Sequence, residues 1–392
     1  MMLRALLAVG DPMLNKEHID LGIFLVVCIK TFITFAVLMV AVLFMVWFER
    51  KVISDMQNRI GPNRAGPWGL LQTLADGIKL FFKEDLLPER ADRRIFRLAP
   101  YLSAVPAFLS FAIVPIGGTV DLFGTQTRLQ LADPPIGILF LLAMSSVAVY
   151  GVMLAGWSSG SKYPLLGSVR ASAQMVSYEA ALGLVVATIV LVSGSLYTSE
   201  IVFSQAGSFA SWNLIRLGIL PFFLFLIAAT AELNRPPFDL VEAEQELVGG
   251  FHTEYSSIRF ALFFLAEFMN TVTMSAIIVT LFLGGPTMPL DLGIPGLGRV
   301  SPIWFIVKIF IFLFTYVWFR ATLPRLRYDQ LMDLGWKALI PASLAWLLVI
   351  AAITVERKYL LVAFPVLVVC AAMLYRSLAL GKATVQEEDL HA

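Results

Sequence analysis

The sequence predicts an all-α polytopic membrane protein with about nine transmembrane helices and a cytoplasmic-side amphipathic helix. Of its 392 residues, 58% are hydrophobic and only 15% charged, well below the roughly 25% charge of soluble domains. Mean hydropathy is +0.81. Apolar windows of about 20 residues, the length that crosses a hydrocarbon core, recur along the chain. Together these observations exclude a water-soluble globule. Lys and Arg number 29 against 28 Asp and Glu, a net charge of +1, so no overall field attracts nucleic acid.

The windows place helices at 22–48, 98–117, 136–157, 172–193, 213–231, 259–283, 302–320, 337–355 and 359–378. The first is too long, and too charged on its far side, for a cleaved signal peptide, so it reads as a retained helix. Counted in alternate loops, 20 of the 29 basic residues fall on one side and seven on the other, with Lys30 and Lys308 inside spans. By the positive-inside rule the N-terminus lies outside and the large loops are cytoplasmic. The chain then forms a single transmembrane domain over 1–392. Within it, 49–97 is a cytoplasmic loop with an amphipathic helix, 232–258 an acidic cytoplasmic loop, and 357–392 an additional C-terminal span and tail. The link at 356–358 is short enough that the last span also reads as a re-entrant helix.

Cys28 and Cys370 lie in apolar runs, and His18, His252 and His391 are scattered. Neither a disulfide framework nor Fe–S or zinc spacing is present. Glycines at 293–298 sit in a proline-rich connection and read as a turn rather than a nucleotide loop. No redox cofactor on this chain is therefore expected, and metal ligands are not expected either.

In the first loop, a helix over 68–83 carries Leu71, Leu74, Ala75, Ile78, Phe81 and Phe82 on one face and Gln72, Asp76, Lys79 and Lys83 on the other. That pattern suits the headgroup plane, and it also suits a roof over a lateral opening for a lipid-like molecule. Gly61-Pro62-Asn63 and Gly66-Pro67 turn the chain away from the first span. At that span's cytoplasmic end stand Glu49, Arg50 and Lys51. Basic residues are ordinary there and a lone acid less so.

Glu179 falls about 10 Å into the fourth span, and Glu267, followed by Asn270 and Thr271, lies well inside the sixth. A charge near mid-bilayer costs at least about 2.5–3.5 kcal/mol, so such acids face protein or water-filled interiors. Each reads either as a neutral or ion-paired packing residue or as part of a polar path. Between the fifth and sixth spans, Glu232-Leu233-Asn234-Arg235-Pro236-Pro237-Phe238-Asp239 leads into Glu242, Glu244, Glu246 and Glu254. The prolines stop the helix and hold Arg235 extended. The acids read as a solvated loop or, because Phe238, Leu240, Val241 and Phe251 interleave them, as a carboxylate funnel with coupled titration. The basic stretch from Arg320 to Arg327 reads as positive-inside anchoring or as the counter-charge closing one site with the acidic loop.

Glu49-Arg50-Lys51, Gly61-Pro62-Asn63, Ala75-Asp76-Gly77-Ile78-Lys79-Leu80-Phe81, Glu232-Leu233-Asn234-Arg235-Pro236-Pro237-Phe238-Asp239-Leu240 and Leu323-Pro324-Arg325-Leu326-Arg327-Tyr328-Asp329 resemble the H-subunit family of proton-translocating NADH:quinone oxidoreductase, respiratory complex I. The resemblance runs from Glu49 through the eighth span. It implies a translocase subunit of the respiratory chain in a bacterial plasma membrane, binding quinone (ubiquinone or menaquinone) as substrate. FMN and Fe–S clusters are expected on partner subunits, both hydrophilic connecting subunits and neighbouring membrane subunits. Carried over by motif, the proton-relay carboxylates are Asp76, Glu84, Glu179, Glu232, Asp239, Glu242, Glu244, Glu246, Glu254 and Glu267. The quinone passage is bordered by Arg50, Arg59, Asp76, Arg235 and Phe251. Many members of the family end after eight spans, so 357–392 inherits no role.

The expected mechanism is that quinone chemistry alters protonation of the 239–246 acids, which in turn act on Glu179 and Glu267. Two charges about 8 Å apart at an effective dielectric of ~20 interact by about 2 kcal/mol, enough for a relay but not for long-range action in one step. The rival readings are the membrane subunit of an energy-converting hydrogenase, a free-standing proton or cation transporter, and a passive anchor. The transporter predicts inverted repeats, and the chain holds no second copy of the Pro236-Pro237 or Tyr178-Glu179 element.

Overall fold

A computed structural model describes residues 21–122, 125–240, 247–289, 298–359 and 365. Helix α1 (Leu21–Met56) is followed by the short α2 (Gln72–Phe82), α3 (Arg93–Phe111), the hairpin β1 (Thr119–Leu122) and β2 (Thr125–Arg128), α4 (Gly137–Ser158), α5 (Lys162–Ser193), α6 (Thr198–Gln205) and α7 (Ile219–Glu232). The most buried span, α8 (Ser257–Phe282), precedes α9 (Pro302–Thr322) and α10 (Tyr328–Val355).

Six of these helices, α1, α4, α5, α8, α9 and α10, are long and apolar enough to cross a membrane. The expected nine are not reached among the described residues, for identifiable reasons. Helix α3 starts with Arg93, Arg94 and Arg97 in its first turns, capped by Asp92 whose Oδ1 accepts from the Arg94 amide at 3.0 Å. The apolar run at 213–231 is broken where Gly218 takes φ 84°, leaving a single turn and then the 14 residues of α7. The ninth window, 359–378, lies almost wholly outside the described residues. The antiparallel hairpin, pairing Thr119 with Arg128, was not expected from the sequence; four-residue strands between two apolar helices leave little periodic signal.

At 36 residues α1 is about 54 Å long at 1.5 Å per residue, well beyond the expected end at residue 48. Its extension carries Glu49 and Arg50 past the apolar windows and up to the loop. The chain then folds back: the Trp47 indole donates to the Trp68 carbonyl at 3.0 Å and the Thr73 hydroxyl to the Leu43 carbonyl at 3.2 Å. At the return, Gly69 has φ 76°, and a Cβ there would stand 2.4 Å from the Pro62 carbonyl oxygen, so only glycine fits. This left-handed backbone, shared by Trp68 at φ 52°, delays the amphipathic helix of 68–83 until Gln72. Its apolar face stays uncovered, with Phe81 70% and Phe82 88% exposed, as a face turned towards lipid requires.

Close helix approaches come from small residues. A Cβ on Gly151 of α4 would meet Ser103 Oγ of α3 at 2.3 Å, and one on Gly156 would meet Ser168 Oγ of α5 at 2.2 Å; contacts of this kind drive helix association where lipid supplies no hydrophobic force. Hydroxyls of Thr271, Thr273, Ser275 and Thr280 inside α8 donate to carbonyls four residues back, so this central helix is satisfied internally. Both in-span lysines face protein: Lys30 Nζ donates to Thr127 Oγ1 at 2.8 Å, and Lys308 Nζ donates to the Leu283, Gly285 and Thr287 carbonyls at 2.7, 3.0 and 2.7 Å, at the end of α8.

Candidate functional site: a charged seam between two cavities

Helix α7 ends at Glu232, and the chain beyond it does not leave for solvent. The Gln174 side-chain amide of α5 donates to the carbonyls of Ala231 (2.7 Å) and Phe238 (2.9 Å) and approaches Asn234 Oδ1 at 3.2 Å. One side chain thus holds both ends of the Arg235-Pro236-Pro237 turn inside the bundle. Leu233, Arg235, Phe238, Asp239 and Leu240 are all buried, so residues 233–240 pack inside the protein. Glu242, Glu244 and Glu246 lie outside the described residues.

Buried in that turn, Arg235 donates from Nη1 to Glu49 Oε2 at 2.9 Å and Oε1 at 3.2 Å. Its Nε stands 3.2 Å from Glu267 Oε1 of α8, and the guanidinium lies 4.5 Å above the centre of the Phe268 ring. Arg320 of α9 also donates to Glu49. Two carboxylates and two guanidinium groups from α1, the 232–240 turn, α8 and α9 thereby form one network, in which each buried charge has a counter-charge. Next to it, Arg325 Nη2 donates to Asp239 Oδ2 at 3.0 Å. This ion pair joins the acidic stretch after α7 to the basic stretch after α9.

Two cavities flank this seam. The larger, of about 600 Å³, is lined by Glu49, Arg50, Arg59, Phe264, Phe268 and Arg320 and opens beside the return towards α2. Asp76 borders it indirectly, its Oδ2 accepting from Arg50 Nη1 at 2.6 Å. The smaller, of about 70 Å³, is lined by Glu232, Glu267, Asn270, Phe251 and His252 among others. Glu49 belongs to the first wall and Glu267 to the second, and Arg235 touches both.

The remaining expected residues take different places. Glu232 accepts from the Ser145 hydroxyl and Glu179 from the Ser146 hydroxyl, adjacent positions on α4. Both acids are partly buried and face protein. Glu254 is half-buried in the connection before α8. Glu84 is exposed, its carbonyl approached by Ser256 Oγ at 3.3 Å. The five expected quinone-border residues do not share one wall: Arg50 and Arg59 line the larger cavity, Phe251 the smaller, and Arg235 lies between them. Sequence reasoning left out Glu49 and Arg320, although an acid at a cytoplasmic helix end was the available signal. Ser145, Ser146 and His252 gave none.

Fold and seam define a multi-pass membrane protein that pairs acidic and basic side chains of its helix bundle beside two cavities. The family model described as NADH dehydrogenase matches residues 29–351. The H subunit of NADH-quinone oxidoreductase from Frankia casuarinae is 54% identical over 355 residues, covering 90% of this chain and 77% of that protein. The protein of the same name from Frankia alni is 56% identical over 338 residues, 86% of this chain and 74% of the relative. That of Streptomyces avermitilis is 50% identical over 339 residues, 85% and 74% of the two chains. The chain belongs to the NADH dehydrogenase family, in the branch of the H subunits of NADH-quinone oxidoreductase, and is a membrane component of an oxidoreductase complex as the motifs implied.

Proposed function

We propose that this subunit admits quinone through the larger cavity and converts its reduction into proton movement along the buried carboxylates. The observation that carries the reading is the double engagement of Arg235, which binds Glu49 on one cavity wall and Glu267 on the other. A quinone reduced near Arg50, Arg59 and Phe268 consumes protons and negative charge. Opposite charges about 4 Å apart at an effective dielectric of ~20 attract by about 4 kcal/mol. A change of charge on Glu49 therefore alters how strongly Arg235 holds Glu267, and with it the proton affinity of the second cavity.

From there the route runs to Glu232 and Glu179, each hydrogen-bonded to a serine of α4. Asp239, Glu254 and the acids at 242, 244 and 246 supply protons from the loop side, while Asp76 orients Arg50 and Glu84 marks the outer rim. Electrons come from Fe–S clusters and FMN carried by hydrophilic partner subunits, and neighbouring membrane subunits receive the coupling. The N-terminus lies outside and the loops at 49–97 and 232–258 face the cytoplasm of a bacterial plasma membrane, consistent with the basic bias of those loops.

The test is Glu179→Gln in the enzyme assembled in liposomes, with NADH oxidation and proton uptake read together. We expect quinone reduction sensitive to rotenone- or piericidin-type inhibitors to persist while protons moved per NADH fall. Unchanged translocation would remove Glu179 from the relay.

A further inference from the structure

The smaller cavity holds one titratable group that is not a carboxylate. His252 closes the single turn Gly250–His252, which is seated against α5 at Gly167, where an added Cβ would stand 2.8 Å from Gly250 Cα. The imidazole is held between two rings, with Phe251 at 4.9 Å and 90° and Phe260 at 5.4 Å and 68° between centroids and planes. It shares a cavity of about 70 Å³ with Glu232, Glu267 and Asn270. On the same wall, Ser103 Oγ and Glu232 Oε2 are buried without a protein partner. Unpartnered polar atoms around such a space are what internal water satisfies, and one water needs only about 10–15 Å³ of it.

We infer that His252 passes protons from the loop side into this cavity, to the carboxylates of Glu232 and Glu267. The inference rests on the coupling reading above and extends it to a residue of another chemistry. An ionised carboxylate only accepts, whereas a neutral imidazole accepts on one ring nitrogen and donates from the other. One proton enters at the free nitrogen, the proton on the other leaves for cavity water, and a ring flip or tautomer exchange restores the start. The charge environment suits transit rather than storage. Burial pushes the imidazole down to about 4, opposed by the negative charge of Asp239, so the imidazolium is short-lived at neutral pH. Helices α4 and α5 present only Ala148, Val152 and Met175 to this cavity, while α7 and α8 present Glu232 and Glu267. The acids set the direction of flow.

The experiment uses the assembled enzyme in liposomes with His252→Ala and His252→Gln. We expect protons moved per NADH to fall severalfold in both, as for loss of a positioned proton carrier, while quinone reduction continues. Added imidazole restores translocation to His252→Ala; pyrazole, of the same shape but a far weaker base, does not. Wild-type translocation by His252→Gln, or equal rescue by pyrazole, overturns the inference. Should His252→Ala fail to assemble, His252→Gln, which keeps a planar polar side chain, decides alone. Glu232→Gln is measured in parallel: if it too translocates normally, the coupling reading itself fails, whereas a defect there with normal His252→Gln removes only His252.

Discussion

Arg235 Nη1 lies 2.9 Å from Glu49 Oε2, a contact between residues 186 positions apart in the chain. The same guanidinium reaches Glu267, so one side chain fixes the relative positions of α1, α8 and the turn after α7. Removing it takes this counter-charge from Glu267 and leaves buried Glu49 with Arg320.

Arg235→Ala should therefore cost about 3–5 kcal/mol, the usual penalty for breaking a buried ion pair by deleting one partner. Thermal unfolding of the purified complex is the measurement, with a lower midpoint expected. Arg235→Lys keeps the charge but cannot engage Glu49 and Glu267 in fork geometry, so an intermediate midpoint is expected.

Gln174 joins α5 to both ends of the Arg235 turn through the carbonyls of Ala231 and Phe238. Gln174→Leu removes two hydrogen bonds to carbonyls that keep backbone donors in Asn234 and Leu240, at a cost of about 0.5–1.5 kcal/mol for each bond lost. The turn should loosen before the helices do, detected as faster hydrogen exchange at 233–240 with α8 still protected.

Phe81 and Phe82 project from α2 with no protein cover. If they seat that helix in lipid, Phe81→Ser with Phe82→Ser removes about 1.5–3 kcal/mol of apolar burial per residue. The KM for a long-tailed quinone should rise and that for a short-tailed analogue change little, because only the former crosses the lateral opening through lipid. Equal KM values for the two substrates in variant and wild type would detach α2 from quinone access.

His252 also makes a prediction about stability. Because its pKa is lowered in the folded protein to about 4 from an ordinary 6.5, the unfolded chain binds a proton in this interval that the folded one does not. Acidification from about 6.5 towards 4 therefore destabilises the fold, and the contribution of the neutral imidazole is complete only above that window. His252→Gln should flatten this part of the midpoint-against-pH curve.

The helical membrane architecture was legible because apolar content and helical period are local properties that accumulate along a segment. The windows at 136–157, 259–283 and 302–320 match α4, α8 and α9 closely. Where local backbone chemistry intervened, legibility fell. Gly218 divides an apolar run that hydropathy reads as continuous, and the left-handed Trp68 and Gly69 delay the start of α2.

The charged motifs were equally visible, and the family resemblance rested on them. Their pairing was not. Nothing near Glu49 indicates Arg235, and Arg320 reads in isolation as an ordinary anchor at a helix end. Composition and spacing established which groups must be kept from lipid, since the cost of a bare charge there is a property of the group itself. Which groups meet was settled by packing: the approach of α4 to α3 at Gly151 and Ser103, the seat of Gly250 on Gly167, and the grip of Gln174 on the proline turn. Those contacts bring remote segments to within hydrogen-bond distance, and Coulomb energy at such range is a function of three-dimensional separation that no spacing along the chain encodes.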